Sequence, residues 1–450
     1  MRRIFKHTFT LVILILGSFS CSDVLEPKPV DILTDDLVLN EPNDVPNVEI
    51  GLYSSFRGIV TSTVISGDFT ADMLLHNGTF SQYRELGTKQ ITSANASAAS
   101  LWSNIYSAVY VANFIFERLP AVAGVTTTQR NKTMGTAYFL RGLSYFYGLY
   151  TYGGIPNVKT TFIDDNRDIP RASKEEILEL ILNDYEDALD LLPEEPVNPG
   201  FVSKDAVRAA LARYYLYTKQ WSLAENLASQ LIDSERYPLE PDFANVVLKD
   251  FTNEAIFEIG YNITDDPGTL NNLFKSRREI IPSNQVVVSL ASAQSGKRFT
   301  SIEFNVNNLA GTDNGWTVSK YGTADENNNN VVVFRLAEMY LIRAEARANL
   351  NIVSGPNGAQ SDINELRTRA SAPLVPVLSQ SQMLLTIEEE RRMELAFEGH
   401  RWYDLVRTGR VTAVMTAFSP NWKTTYELWP IPQTEIQNNP SLAGQQNPGY

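Results

Sequence analysis

Residues 205–234, DAVRAALARYYLYTKQWSLAENLASQLIDS, admit little other than two helices packed face to face. Ala212 stands on the apolar face of the first helix, with Tyr215 three places on. Trp221, Ala224 and Ala228 hold the matching positions on the second. Small side chains let the two axes approach closely, and the aromatic rings fill the gaps between them. Two further blocks carry the same signal. RLAEMYLIRAEARANL at 335–350, followed by GAQSDINELRTRA, puts Ala344 at the tight position, and AYFLRGLSYFYGLYTYGG at 137–154 puts Gly142 there.

These units resemble tetratricopeptide helix pairs, with unrelated antiparallel pairs as the competing reading. Periodicity predicts helices over 48–60, 98–119, 128–152, 174–192, 204–218, 222–234, 334–349, 359–369, 381–397 and 400–407. Between 237 and 331 the helical period fades and Asn, Asp, Gly and Ser rise. EAIFEIGYNI there reads as a short strand. DENNNN at 325–330 reads as a solvated loop, since it lacks the glycine and closing glutamate of an EF-hand. The expected fold is mainly α: a scaffold of tetratricopeptide-like pairs over 48–236 and 332–410, a loop-rich insert over 237–331, and an extended C-terminal segment over 411–450.

With 43% hydrophobic residues among 450, the chain can bury a large core. It must stand on that core, because the one cysteine, Cys21, can form no internal disulfide. Three histidines are too few for a typical zinc site, and no cofactor motif is present. A net charge of −14 repels phosphate backbones and argues against nucleic acid as a partner.

Residues 1–20 read MRRIFKHTFTLVILILGSFS: a basic front, an apolar run too short to span a membrane, then small residues. Cys21 follows at once. LGSFSC resembles a lipobox, with the small Ser20 before the cysteine and Ser18 where leucine is usual. The expectation is a signal peptide over 1–20, lipidation at Cys21 and a Pro- and Asp-rich tether over 21–47. The rival is a plain signal peptide with a chance cysteine nearby. Ser22 and Asp23 resemble the signals that send lipoproteins to the cell surface. No other stretch is apolar and long enough to cross a membrane.

Four stretches together resemble the SusD/RagB family over almost the whole chain beyond the leader. AYFLRGLSYFYGLYTYGGIP at 137–156 is similar to its aromatic helix with a Tyr-Gly-x-x-Pro turn. RLAEMYLIRAEARANL is similar to its late Arg-x-x-Glu-x-Tyr-Leu helix. IEEERRMELAFEGHRWYDLVRTGR at 387–410 matches its Glu-Arg-x-x-Glu-Leu-x-x-Glu-Gly-x-Arg-x-x-Asp-Leu-x-Arg signature, and LWPIPQTEIQNNPSLAGQQNPGY its C-terminal ending. The resemblance implies an outer-membrane lipoprotein that captures oligosaccharide and sits as a lid on a TonB-dependent, SusC-like transporter.

The signature stretch tempts a catalytic reading, because Glu390, Arg391, Glu394 and Glu398 alternate charge along one helix at spacings that allow i, i+4 pairs. Arginines that close hold carboxylates ionised, which is wrong for a general acid, so the favoured reading is a structural ion-pair cluster. No P-loop and no nucleophile elbow is present. His400 reads as structural. The chain is therefore expected not to be an enzyme.

Sugars offer apolar C–H faces and many hydroxyls, so a fitting site combines aromatic faces with amides, carboxylates or arginine. Two segments supply these. SGDFTADMLLHNGTFSQYRELG at 66–87 holds Asp68, Asp72, Asn77, Phe80, Tyr83 and Arg84; the resemblance adds an Asp-Met pair, Asp72 and Met73, that lines the site in family members. NNLAGTDNGWTVSKYG at 307–322 holds Trp316 and Tyr321. Trp102, Trp402 and Trp429 read as core. The leading function is glycan capture. A relative binding peptide or another nutrient, and a helical scaffold or enzyme, stand as alternatives.

Overall fold

A computed structural model describes residues 38–194, 198–266, 268–304, 313–323, 326 and 328–450. The leader, Cys21 and the tether up to residue 37 lie outside the described residues.

The principal helices are α1 Val45–Val64, α2 Ser81–Thr88, α3 Ala96–Arg118, α4 Thr127–Tyr152, α5 Lys174–Leu191, α6 Lys204–Tyr217, α7 Trp221–Asp233, α8 Leu336–Asn349, α9 Ala359–Arg369, α10 Gln380–Glu394 and α11 Arg401–Arg407. Their starts follow from local chemistry. The Asn95 side chain accepts from Ser97 N and Ala98 N at the head of α3. Reciprocal caps, Ser173 with Glu176 and Ser379 with Gln382, open α5 and α10 and satisfy amides that the first turn leaves unpaired. Gly153, at φ 79°, ends α4 in a conformation that costs a side-chain-bearing residue energy.

Helices pack on their neighbours in series. α1 packs on α3, α3 on α4, α4 on α5, α5 on α6, α6 on α7, α7 on α8, and α8 on α9 and α10. The small residues lie where the axes come close. Ala212 and Ala344 are fully buried. A Cβ on Gly142 would sit 2.9 Å from the Tyr185 ring of α5, so only glycine lets α4 and α5 meet there. The fold is mainly α, as expected.

The few strands form two-stranded antiparallel ladders. β1 Leu74–His76 pairs with β3 Ile280–Pro282, β2 Ala255–Ile259 with β6 Val331–Arg335, and β4 Ile302–Phe304 with β5 Trp316–Val318. β2 is the strand expected within EAIFEIGYNI. The asparagine run departs from the solvated loop expected of it. Asn329 and Asn330 are buried, and Asn330 donates to Glu258 (2.8 Å) while accepting from Tyr261 N (3.0 Å). A buried carboxylate and a strand-end amide both need partners, and the asparagine amide serves both.

The signature carboxylates form a structural cluster, though not through pairs along their own helix. Glu394 meets Arg298 at 2.7 Å and Arg335 at 2.8 Å, and also bonds Arg369. Glu398 meets Arg335 at 2.9 Å and bonds Lys320; Glu390 meets Arg298 and Arg367. Burial opposes ionisation of Glu394 and Glu398, but the surrounding cations outweigh it and hold both below the usual carboxylate range. Glu390 goes the other way: burial dominates and raises its pKa, against the expectation that arginines would keep the whole set ionised. His400 is buried and pushed down to about 4, consistent with a structural role. Trp102, Trp402 and Trp429 are core.

Candidate functional site

Four of the residues expected to bind ligand face inward. Asp68 accepts from Gly399 N (2.7 Å) and Arg401 N (3.2 Å). Burial drives its pKa up to about 7 in spite of those amides. Asp72 takes a two-pronged bond from Arg401, 2.8 Å to Nε and 3.2 Å to Nη2. Burial opposes its ionisation, but the guanidinium prevails and holds it below the usual range. Met73 is buried in the core, and Tyr321 is buried with its hydroxyl donating to Phe397 O at 2.7 Å. Asp68, Asp72 and Tyr321 share a reason: each meets the signature stretch, whose polar groups need partners; Met73 instead takes Ser283 N on its carbonyl beside the β1–β3 ladder. All four are buried within the protein rather than open at its surface.

The remaining five, Asn77, Phe80, Tyr83, Arg84 and Trp316, are exposed or half-buried, and a polar network ties the two segments together. Asn77 donates to Arg278 O (2.9 Å) and Asp313 Oδ2 (3.4 Å). Asp313 grips Arg278 through Nε at 3.1 Å and Nη2 at 2.5 Å, and Arg278 Nη2 also reaches Trp316 O at 3.2 Å. Next to it, Glu279 accepts from Thr79 N (2.7 Å) and Phe80 N (3.1 Å). The Arg277 guanidinium lies 4.3 Å from the Phe80 ring centre. The loop after β1 is thus held by the Arg277-Arg278-Glu279 run before β3, and β3 also packs against β5, which Trp316 begins.

Two aromatic groups border this network. Phe80 and Tyr83 lie 6.1 Å apart and tilted. Trp316 is flanked by Phe304 at 5.1 Å and Phe299 at 5.7 Å. Phe299 and Phe304 are 42% and 51% exposed, so with Trp316 they present adjoining ring surface to solvent. Arg277, Arg278, Glu279, Phe299, Phe304 and Asp313 were all missed in the sequence. The one local signal was the charged run Arg277-Arg278-Glu279 beside an apolar strand.

Burial raises and hydrogen bonds lower the pKa of Glu279 and of Asp313; the hydrogen bonds win, and both lie below the usual range. Neither is suited to donate a proton at neutral pH. Among the described residues, no cluster of three or more His, Cys, Asp or Glu is placed to hold a metal, and no helix is long and apolar enough to cross a membrane. The arrangement offers ring faces, amides and fixed charges: equipment for binding.

Two family models match the chain: "SusD family" over residues 283–450, and "Starch-binding associating with outer membrane" over 25–216. The chain belongs to the SusD/RagB family. A SusD-like protein of Formosa agariphila is 25% identical over 100% of both chains, and another from that organism is 27% identical over 99% of this chain and 100% of its own. The starch-binding protein SusD of Bacteroides thetaiotaomicron is 35% identical over 27% of this chain and 21% of its own. Among solved structures, a laminarin-binding SusD-like protein superposes with a TM-score of 0.80 at 21% identity, over 91% of this chain and 100% of its own. A SusD superfamily protein from Parabacteroides distasonis gives 0.79 at 19% identity, over 93% and 100%. These structural likenesses carry the fold. The SusD/RagB family is a carbohydrate-binding, outer-membrane-associated one.

Proposed function

We propose that this SusD/RagB protein is a cell-surface lipoprotein that captures oligosaccharides and passes them to a TonB-dependent, SusC-like transporter, without cleaving them. The observation that carries the reading is the aromatic ledge of Trp316, Phe304 and Phe299 beside the Arg278–Asp313–Asn77 network. Ring faces take the apolar faces of pyranoses, and the flanking amide and ions take hydroxyls. Phe80, Tyr83 and Arg84 extend the surface. Asp68, Asp72, Met73 and Tyr321 are buried and serve the frame in this reading. Lipidation at Cys21 supplies the membrane attachment in this reading.

The test is calorimetric titration of the soluble chain, from Ser22 onward, with the glycan that binds best on an array. Truncating an anchoring aromatic costs roughly 2 kcal/mol, or about thirtyfold in affinity. Trp316→Ala is expected to show that loss with an unchanged melting temperature, because Trp316 is half-buried at the end of a short strand. Full affinity in the folded variant would place the site elsewhere. Turnover of a bound oligosaccharide at an enzyme-like rate would refute the non-catalytic part.

A further inference from the structure

Tyr83 borders a second feature. A pocket of about 160 Å³ opens between the end of α1, the start of α2 and the first turn of α3. That volume is well under the ~300 Å³ of the smallest drug-sized sites. It is room for one compact polar body. The buried Ile65, Leu273 and Trp429 form its apolar base. Around them stand Ser62, Ser97, Ser100 and Thr269 with hydroxyls, Gln82 with an amide, and Tyr83 with its phenol.

Among the described residues, none of these six side chains spends its polar group on a protein hydrogen bond. All six are half-buried or exposed, so their polar groups are open to solvent or to a ligand, whereas Thr61, which also lines the pocket, shares its hydroxyl with Tyr261 at 2.8 Å. Among the described residues, no Asp, Glu, Lys or Arg lines the pocket. It thus differs from the ledge, where Arg277, Arg278, Glu279 and Asp313 stand close together. An uncharged ring of donors and acceptors over an apolar base matches an uncharged ligand with alternating hydroxyls and C–H groups. It offers a carboxylate or sulfate no countercharge to offset lost hydration.

We infer that this pocket takes one uncharged sugar ring of a bound glycan, so that the site prefers neutral oligosaccharides to uronate or sulfated ones. The inference rests on the glycan-binding reading above and deepens it. Tyr83 is the shared wall: it belongs to the pocket and packs by ring contact on Phe80 of the ledge region.

The experiment uses an array of neutral, uronate and sulfated oligosaccharides on the soluble chain, then calorimetry on the strongest binder with three variants. Gln82→Leu combined with Ser100→Ala removes two hydrogen-bonding groups. Ala96→Phe, at an exposed position on the pocket rim, fills the space. Trp316→Ala probes the ledge separately. Expected are neutral binders only, a loss of about tenfold or more in both pocket variants, and unchanged melting temperatures. Neutral binding that Trp316→Ala weakens and both pocket variants leave intact would overturn the pocket and spare the glycan reading. Binding confined to acidic glycans would also overturn it. Binding of no glycan at all would overturn both.

Discussion

Asp72 shows how a residue in a binding segment can belong to the frame instead. Its carboxylate and the Arg401 guanidinium are both buried and face each other. Removing one partner of a buried pair leaves the other charge without compensation, at a cost of about 3–5 kcal/mol. Asp72→Ala should therefore lower stability by that order in urea denaturation, with glycan affinity per folded molecule preserved. Lost affinity in a fully stable variant would return Asp72 to the ligand. Glu258 gives a pH-dependent counterpart. Burial pushes its pKa to about 7 from an ordinary 4.5, against the hydrogen bonds it accepts, and its Oε2 has no partner among the described residues. As pH rises from about 4.5 to 7 the unfolded chain ionises this group while the folded chain resists, so its contribution is full at low pH and lost by about pH 7. Glu258→Gln keeps an acceptor for Phe251 N and Asn330 and does not titrate. It should gain on the parent by on the order of 3 kcal/mol between pH 4.5 and 8. Melting curves at both ends check this, and a difference that is flat with pH would refute it. Sequence reading singled out the 66–87 segment as a candidate but could not tell which way each side chain points. Asp68 and Asp72 look like Asn77 on paper, and only the signature stretch arriving from more than 300 residues away claims the two aspartates.

At the scale of elements, helix pairing was legible because both partners lie close in sequence. Gly142 marks the α4–α5 contact, and Ala212 marks its pair, through a packing need that shows as composition. The ion cluster around α10 was legible as a cluster but not as a set of pairs. Its cations are Arg298 before β4, Lys320 after β5, Arg335 at the end of β6, and Arg367 and Arg369 on α9. Long-range partners leave no periodic trace. The cluster joins the strand-bearing segment to the last helices, and Glu394 sits at its centre with three arginines. Glu394→Ala should cost at least about 3–5 kcal/mol, because several buried cations lose their counterion together. Chemical denaturation of the purified variant, or failure to recover it folded, reads this out. A loss below about 1 kcal/mol would mean that the remaining carboxylates rebalance the charge. The ledge was half legible: Trp316 stood out as an aromatic in a polar run, whereas Phe299 and Phe304 matter only because a hairpin folds them beside it.

For the whole molecule, the question is what keeps it at a membrane. Among the described residues no helix can span a bilayer, and the acidic balance of −14 gives no general attraction to anionic lipid. Leu39 and Val45 are the first buried core residues among the described residues, and Cys21 lies outside those residues. An acyl chain contributes about 0.8 kcal/mol per buried methylene; one chain binds marginally, while two or more hold firmly. A lipidated Cys21 would meet that requirement with a single residue, and no other cysteine exists to substitute for it. Cys21→Ala should accordingly move the protein from the membrane pellet to the soluble fraction in cells lacking the transporter. The melting temperature and glycan affinity of its folded body should match those of the soluble chain. The transporter-free background matters, because docking on a partner would retain the variant at the membrane for another reason. Pelleting as strong as the parent's in that background would mean that attachment runs through protein surface, and Cys21 would lose its assigned role.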